Sequence, residues 1–237
     1  MSSHAEEPPR GRVIDGIRAG APIGVAAVVF GISFGVLARS AGMGSVAPVV
    51  MSATTFGGSA QFAVASILGA GGGMAAAVLA AVLLNARYGP MCLAAAPSLR
   101  GGRLRRALEA QLVVDESWAI AKRRRGRFDG RVLVGVGLTL YVGWVGGTVV
   151  GAVAGKALGD PEALGLDAAF PALFLALLAD QLGARRAPVA ALVGAGLALA
   201  LTPLTPPGVP VLAATLAVLV GLSTTTPRRP AEAGNAP

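Results

Sequence analysis

The sequence predicts an all-α protein, a polytopic membrane bundle of about seven transmembrane helices with a broken or re-entrant helix near Gly57-Gly58. Three observations predict it. Of 237 residues, 54% are hydrophobic and only 14% are charged, against about 25% charged in soluble domains, and the mean hydropathy is +0.68. No formal charge falls within residues 19–38, 40–86, 132–155 or 187–227, and a helix crossing about 30 Å of hydrocarbon needs about 20 apolar residues. Inside the second of these runs, two adjacent glycines flanked by hydroxyls interrupt the apolar pattern.

In chain order, residues 1–12 are polar and Pro-rich and read as a disordered tail. They mix acidic with basic residues and precede an apolar run too long for a signal peptide, so the first span is expected to stay in the mature chain. The four uncharged runs then hold one, two, one and two spans, and residues 168–182 add another, for seven. Residues 104–121 can be read in two ways, since Glu109, Gln111, Asp115 and Glu116 lie among apolar residues with basic clusters at both ends. Lying in the interface, the segment leaves both clusters cytoplasmic, as the positive-inside rule asks. The N-terminus is then outside if three full spans precede it. Crossing, the segment raises the count to eight and exports the Arg100 cluster against that rule. Seven is the preferred count. The net-negative loop at 156–167 and the Pro-rich turn at 202–207 then fall outside. Residues 13–226 form one transmembrane domain, and 227–237 a second disordered tail.

The composition also excludes chemistry. One His, His4, and one Cys, Cys92, cannot build a Cys/His zinc site, a haem site or an internal disulfide, and no cofactor is expected. Ser-His catalysis fails because His4 lies in the tail. The net charge of +8 and pI near 11.2 do not point to nucleic acid, because the basic residues cluster in short loops beside spans.

Four constellations remain. Around the break, residues 51–62 place Ser59 and Gln61 beside Gly57 and Gly58, where a half helix could offer its positive end and two side chains to a carboxylate. The same glycines could simply admit a close neighbour. Asn85 and Arg87 sit within an apolar run from 74 to 96, where an Arg costs at least about 2.5 kcal/mol unless it faces a polar cavity or an acid. A snorkelling or structural Arg is the plain alternative. Asp115 and Glu116, the next acids in sequence after Glu109, could hold a proton in a low-dielectric site, or could belong to an amphipathic surface helix. Asp180 with Gln181 is a weaker case of the same sort. Finally Gly135, Thr139, Gly143, Gly147, Gly151 and Gly155 recur every fourth residue and mark a helix interface, internal or with a partner.

Taken in order, Phe30-Gly31-Ile32-Ser33-Phe34-Gly35, Met51-Ser52, Gly57-Gly58-Ser59-Ala60-Gln61-Phe62, Asn85-Ala86-Arg87-Tyr88, Asp115-Glu116-Ser117 and Leu166-Asp167-Ala168-Ala169-Phe170-Pro171-Ala172-Leu173-Phe174 resemble the AzlC family of bacterial branched-chain amino acid exporters. The resemblance runs from about residue 16 to 221. Tyr88 departs from it where members often carry His, and Ala168 where an aromatic is common. It implies the large subunit of an inner-membrane carrier that works with a small AzlD-type membrane subunit. The cargo implied is leucine, isoleucine or valine, and in some members methionine. On this reading Ser59, Gln61, Asn85 and Arg87 bind the amino acid, Asp115 and Glu116 couple its export to protons, and the chain is not an enzyme. The competing class is a non-transporting membrane scaffold, for which the Gly series would suffice.

Overall fold

The computed structural model describes residues 11–123, 127–155, 175, 178, 179, 182, 187–206 and 208–217. The chain divides into two compact units, Met1–Phe174 and Leu175–Pro237. Within the first, the described helices are α1 (Val13–Ser40), α2 (Val46–Thr54), α3 (Gly58–Gly69), α4 (Met74–Asn85), α5 (Tyr88–Ala95), α6 (Arg103–Ala110), α7 (Asp115–Ala121) and α8 (Gly130–Ala154). Among the described residues three stretches are long and apolar enough to cross a membrane: α1, α8, and Met74–Ser98, which joins α4, α5 and a short 3₁₀ turn.

The frame of this unit is the pair α1 and α8, the most extensive helix contact. A Cβ at Gly143, Gly147 or Gly151 would run into the carbonyl oxygen of Gly24, Val28 or Ile32, and one at Gly135 into that of Val13. Each step of four along α8 thus meets a step of four along α1, so the two helices run parallel, and small residues let their backbones touch. The glycine series is therefore an internal interface, filled by α1, and leaves no groove for a partner. Gly16, Gly20, Gly24, Gly31 and Gly35 answer it from the α1 side.

Both ends of the pair are tied. At the far end Arg39 Nη1 donates to the Ala152 carbonyl at 2.8 Å. At the near end buried Asp129 caps α8, accepting from the amides of Arg131 and Val132, from the Gly11 amide at 2.7 Å, and from Arg123. Burial pushes the Asp129 carboxyl pKa up, but the Gly11 and Val132 amides and the Arg123 charge outweigh it and hold it below its ordinary value of 3.8. A depressed folded pKa contributes stability that is present above the ordinary value and lost as pH falls through the folded one. Asp129→Ala removes the cap of α8 and the bonds to the Gly11 amide and Arg123, and is expected to cost at least about 1–3 kcal/mol. A melting temperature in detergent at neutral pH that matches wild type would refute this.

Between α1 and α8 the chain makes two hairpins from opposite ends. Helices α2 and α3, nine and twelve residues long, reach only about 14 and 18 Å at 1.5 Å per residue, too short to cross. From the far end α2 descends to Thr54, with Ala53 bonded to Tyr141 midway along α8. Then α3 starts at Gly58 beside Trp144 and returns to Gly69 beside Ala41. The broken helix near Gly57-Gly58 is thus a re-entrant pair, and the run at 40–86, read as two spans, divides between this pair and the first half of Met74–Ser98. From the near end, where Ser98 abuts Gly130, α6 leads inward to Leu112, which lies against Gly137. From there α7 returns to Ala121, whose carbonyl accepts from the Asp129 amide at 2.9 Å.

Residues 104–121 accordingly neither cross nor lie flat: they dip and return to the end they left. The basic clusters on either side share that end, and so does the start of α1, because two long helices precede them and not three. With positive charge on the cytoplasmic side, single cysteines replacing Gly102 and Arg127 in a Cys92→Ala background should be labelled from the cytoplasm, and one replacing Gly73 from outside. Labelling of 102 and 127 from opposite faces would show that the segment crosses.

The second unit contains α9 (Ala187–Leu201) and α10 (Val209–Ala214), followed by a 3₁₀ turn at Thr215–Ala217. The turn carrying Pro203 and Pro206 separates the two helices as its prolines require. Of the first tail only Gly11 and Arg12 are described, bonded to Asp129 and Asp15; residues 1–10, the second tail, Asp180, Gln181, and the 166–174 motif lie outside the described residues.

Candidate functional site

The two hairpin tips and the junction of α4 with α5 meet at the middle of the first unit. The tip of the first is fixed by packing. Phe56 has φ +39°, a left-handed conformation that a bulky residue adopts only when its surroundings hold it there. Its buried ring meets Tyr141 edge-on at 5.0 Å. A Cβ at Gly57 would strike the Asn85 amide and one at Gly58 the Trp144 ring, so the glycines both break the helix and admit their neighbours. Phe34, Phe62 and Trp144, with centroids 5.7 to 6.4 Å apart, join α1, α3 and α8 just behind.

The break frees backbone groups that must be satisfied away from water. Tyr141 Oη donates to the Ala53 carbonyl and Gln111 Nε2 to the Thr54 carbonyl, each at 2.8 Å. The Gly57 amide donates to Gln61 Oε1 at 3.3 Å, and Gln61 Nε2 donates to Ser52 Oγ at 2.7 Å. Since the Thr148 hydroxyl donates to the Trp144 carbonyl, Ser52 donates to Thr148, 2.8 Å away. Gln61 is 0% exposed with both amide atoms engaged. Expected at the substrate site, it bonds both sides of the break, the Gly57 amide and Ser52. Ser52, Gln111, Tyr141 and Thr148, which the sequence did not single out as site residues, do the same work. Their signal was polar side chains at span depth, but their partners lie far off in sequence.

The other residues expected at the site converge. Arg87 Nη2 lies 2.8 Å from Asp115 Oδ2, 3.3 Å from Ser59 Oγ and 3.1 Å from Tyr88 Oη, with its guanidinium over the Tyr88 ring. Adjacent Glu116 is exposed like Asp115, and acts electrostatically on Arg87 as Asp115 does. Arg87 is placed by the α4–α5 junction and Asp115 by the first turn of α7, so neither hairpin alone makes the site. Asn85 flanks it, and its Oδ1 is buried without a hydrogen-bond partner. The Arg87 and Asp115 side chains are 45% and 49% exposed, so the pair is open on one side. The arrangement offers a cation, two carboxylates, a hydroxyl and an orphaned amide oxygen at mid-depth, which suits binding of a small charged molecule.

A family profile described as AzlC protein matches residues 22–158, more than half the chain and all six candidate residues. The chain belongs to the AzlC family. Relatives agree over most of their length. The inner membrane protein YgaZ of Escherichia coli is 29% identical, covering 82% of this chain and 85% of its own. An uncharacterized membrane protein of Archaeoglobus fulgidus is 33% identical over 83% and 87%. The branched-chain amino acid transport protein AzlC of Bacillus subtilis is 29% identical over 76% and 71%. No solved structure matches. Two of these relatives are named as membrane proteins, and this AzlC-family chain, with three stretches among the described residues long and apolar enough to cross, is a membrane protein too.

Proposed function

We propose that the chain is the large subunit of a secondary carrier that exports branched-chain amino acids, leucine, isoleucine and valine, with methionine as a further cargo. It works with a small AzlD-type membrane subunit in exchange for protons. The observation that carries this reading is the Arg87–Asp115 pair with Ser59, held at mid-depth where two hairpins from opposite ends meet. Charged groups are costly at that depth and mark substrate or ion pathways, and carriers use broken helices in this way. The Bacillus subtilis relative carries branched-chain amino acid transport in its name. Arg87 binds the substrate carboxylate, Ser59 and Asn85 add hydrogen bonds, and Gln61 keeps the break in shape. Asp115 and Glu116 are the proton-coupling carboxylates. The chemistry is binding and release, and no bond is made or broken.

The test is efflux of labelled leucine from proteoliposomes, with and without the small subunit. Efflux should quicken when a pH gradient drives protons inward, and efflux that ignores the gradient under both conditions would end the reading. Glu116→Gln keeps the shape but cannot titrate. It should lose the response to the gradient yet still exchange labelled for unlabelled leucine, and an unchanged response would remove Glu116 from the coupling step.

A further inference from the structure

The pair at the centre of the site mirrors the substrate's own charges. A free α-amino acid carries one carboxylate and one ammonium, and Arg87 and Asp115 carry one charge of each sign, 2.8 Å apart. We propose that the amino acid enters by opening this pair, its carboxylate taking the place of Asp115 on Arg87 and its ammonium taking the place of Arg87 on Asp115. This rests on the carrier reading above and adds to it Asp115 as the ammonium-binding residue.

Three observations support the exchange. Nη2 of Arg87 faces three oxygens, on Asp115, Ser59 and Tyr88, but has only two hydrogens. At least one of these contacts is therefore shared, and the guanidinium is not held by a full set of strong bonds. Both side chains are about half exposed, so a ligand can reach the pair without unfolding either hairpin. The net charge of the site is the same before and after insertion. No ion is left unpaired, and it is an unpaired ion that makes breaking such a bridge expensive. Glu116 on α7 adds a second carboxylate that acts on Arg87 with Asp115, and Asn85, two residues before Arg87 at the end of α4, carries an acceptor Oδ1 without a partner. Arg87 and Tyr88 are the groups facing Asp115 from the α4–α5 junction.

The exchange makes the site selective for molecules that bear both charges. An analogue with one charge opens the pair and leaves one half without its partner, which makes it the weaker ligand. Binding to the purified full-length protein, by equilibrium dialysis, should therefore favour L-leucine over both isocaproate, which lacks the ammonium, and leucinamide, which lacks the carboxylate, by at least about tenfold in Kd. Asp115→Asn should weaken leucine by at least about tenfold and bring leucine and isocaproate within about threefold of each other, because Arg87 is then free for any carboxylate. A residue that only supports the fold would weaken both ligands alike and leave their ratio unchanged.

If wild-type protein binds isocaproate as tightly as leucine, or Asp115→Asn keeps the full preference for leucine, the exchange is wrong. The carrier reading survives that result provided leucine binding still requires Arg87. If wild-type protein binds no leucine at all, the carrier reading falls and the exchange falls with it. Should Asp115→Asn fail to elute as a monodisperse species, the comparison of the three ligands on wild-type protein still decides.

Discussion

Arg87→Ala is expected to reduce leucine efflux from proteoliposomes by at least about a hundredfold, an effect of the size seen when a positioned charge is lost from a functional site. The substitution removes the cation at the meeting point of the hairpins and strands Asp115, which Arg87 now neutralises at 2.8 Å. Arg87→Lys separates the two consequences. It keeps the charge, and so the partner of Asp115, but loses the planar fork that matches a carboxylate. Lysine should therefore restore elution as a monodisperse species while efflux stays well below wild type. Efflux near wild type in Arg87→Ala would show that the pair is a structural bridge.

Gly147→Leu should prevent assembly of the chain itself. A Cβ at Gly147 would overlap the Val28 carbonyl and the Ile32 amide, which are backbone atoms of a parallel helix and cannot rotate away. Overpacking costs about 1–3 kcal/mol even where side chains can adjust. Here α1 must move as a whole, so the effect should exceed that range. The neighbouring glycine provides the control, since a Cβ at Gly146 would meet nothing within 4 Å. Gly146→Leu should elute, bind and transport as wild type does. Equal behaviour of the two variants in size-exclusion chromatography would show that α1 does not fill the series.

What was legible in the sequence followed from local pattern. The charge-free run at 132–155 gave α8 almost to its ends, and Gly57-Gly58 gave the break between α2 and α3, because helix length and glycine punctuation are short-range signals. Arg87 with an acidic partner was legible because a charge at that depth requires one. The second hairpin was not. Residues 103–110 put Leu104 and Leu108 among Arg and Glu, as an interfacial helix would, and nothing local says that the chain turns inward at Leu112 and back at Asp115. The number of full crossings before residue 98 was hidden for the same reason, since a re-entrant pair and a span have the same composition. The bonding of Gln61 was hidden because it runs through Ser52 to Thr148, the latter on another helix.

The ties that hold α8 to the rest of the unit also impose an order on its manufacture. Those from Tyr141, Thr148, Ala152 and Asp129 join residues 88, 96, 113 and 118 positions apart. At about 5–20 residues per second on the ribosome, α1 waits on the order of 5–25 s in the bilayer before its partner exists. Throughout that interval its glycine face is bare and the first hairpin lacks the hydroxyls that complete it. The nascent chain is therefore most open to capture by other membrane segments, or by proteases, between insertion of its first helix and its eighth. Any helper that shields a small-residue face in lipid would act within that window.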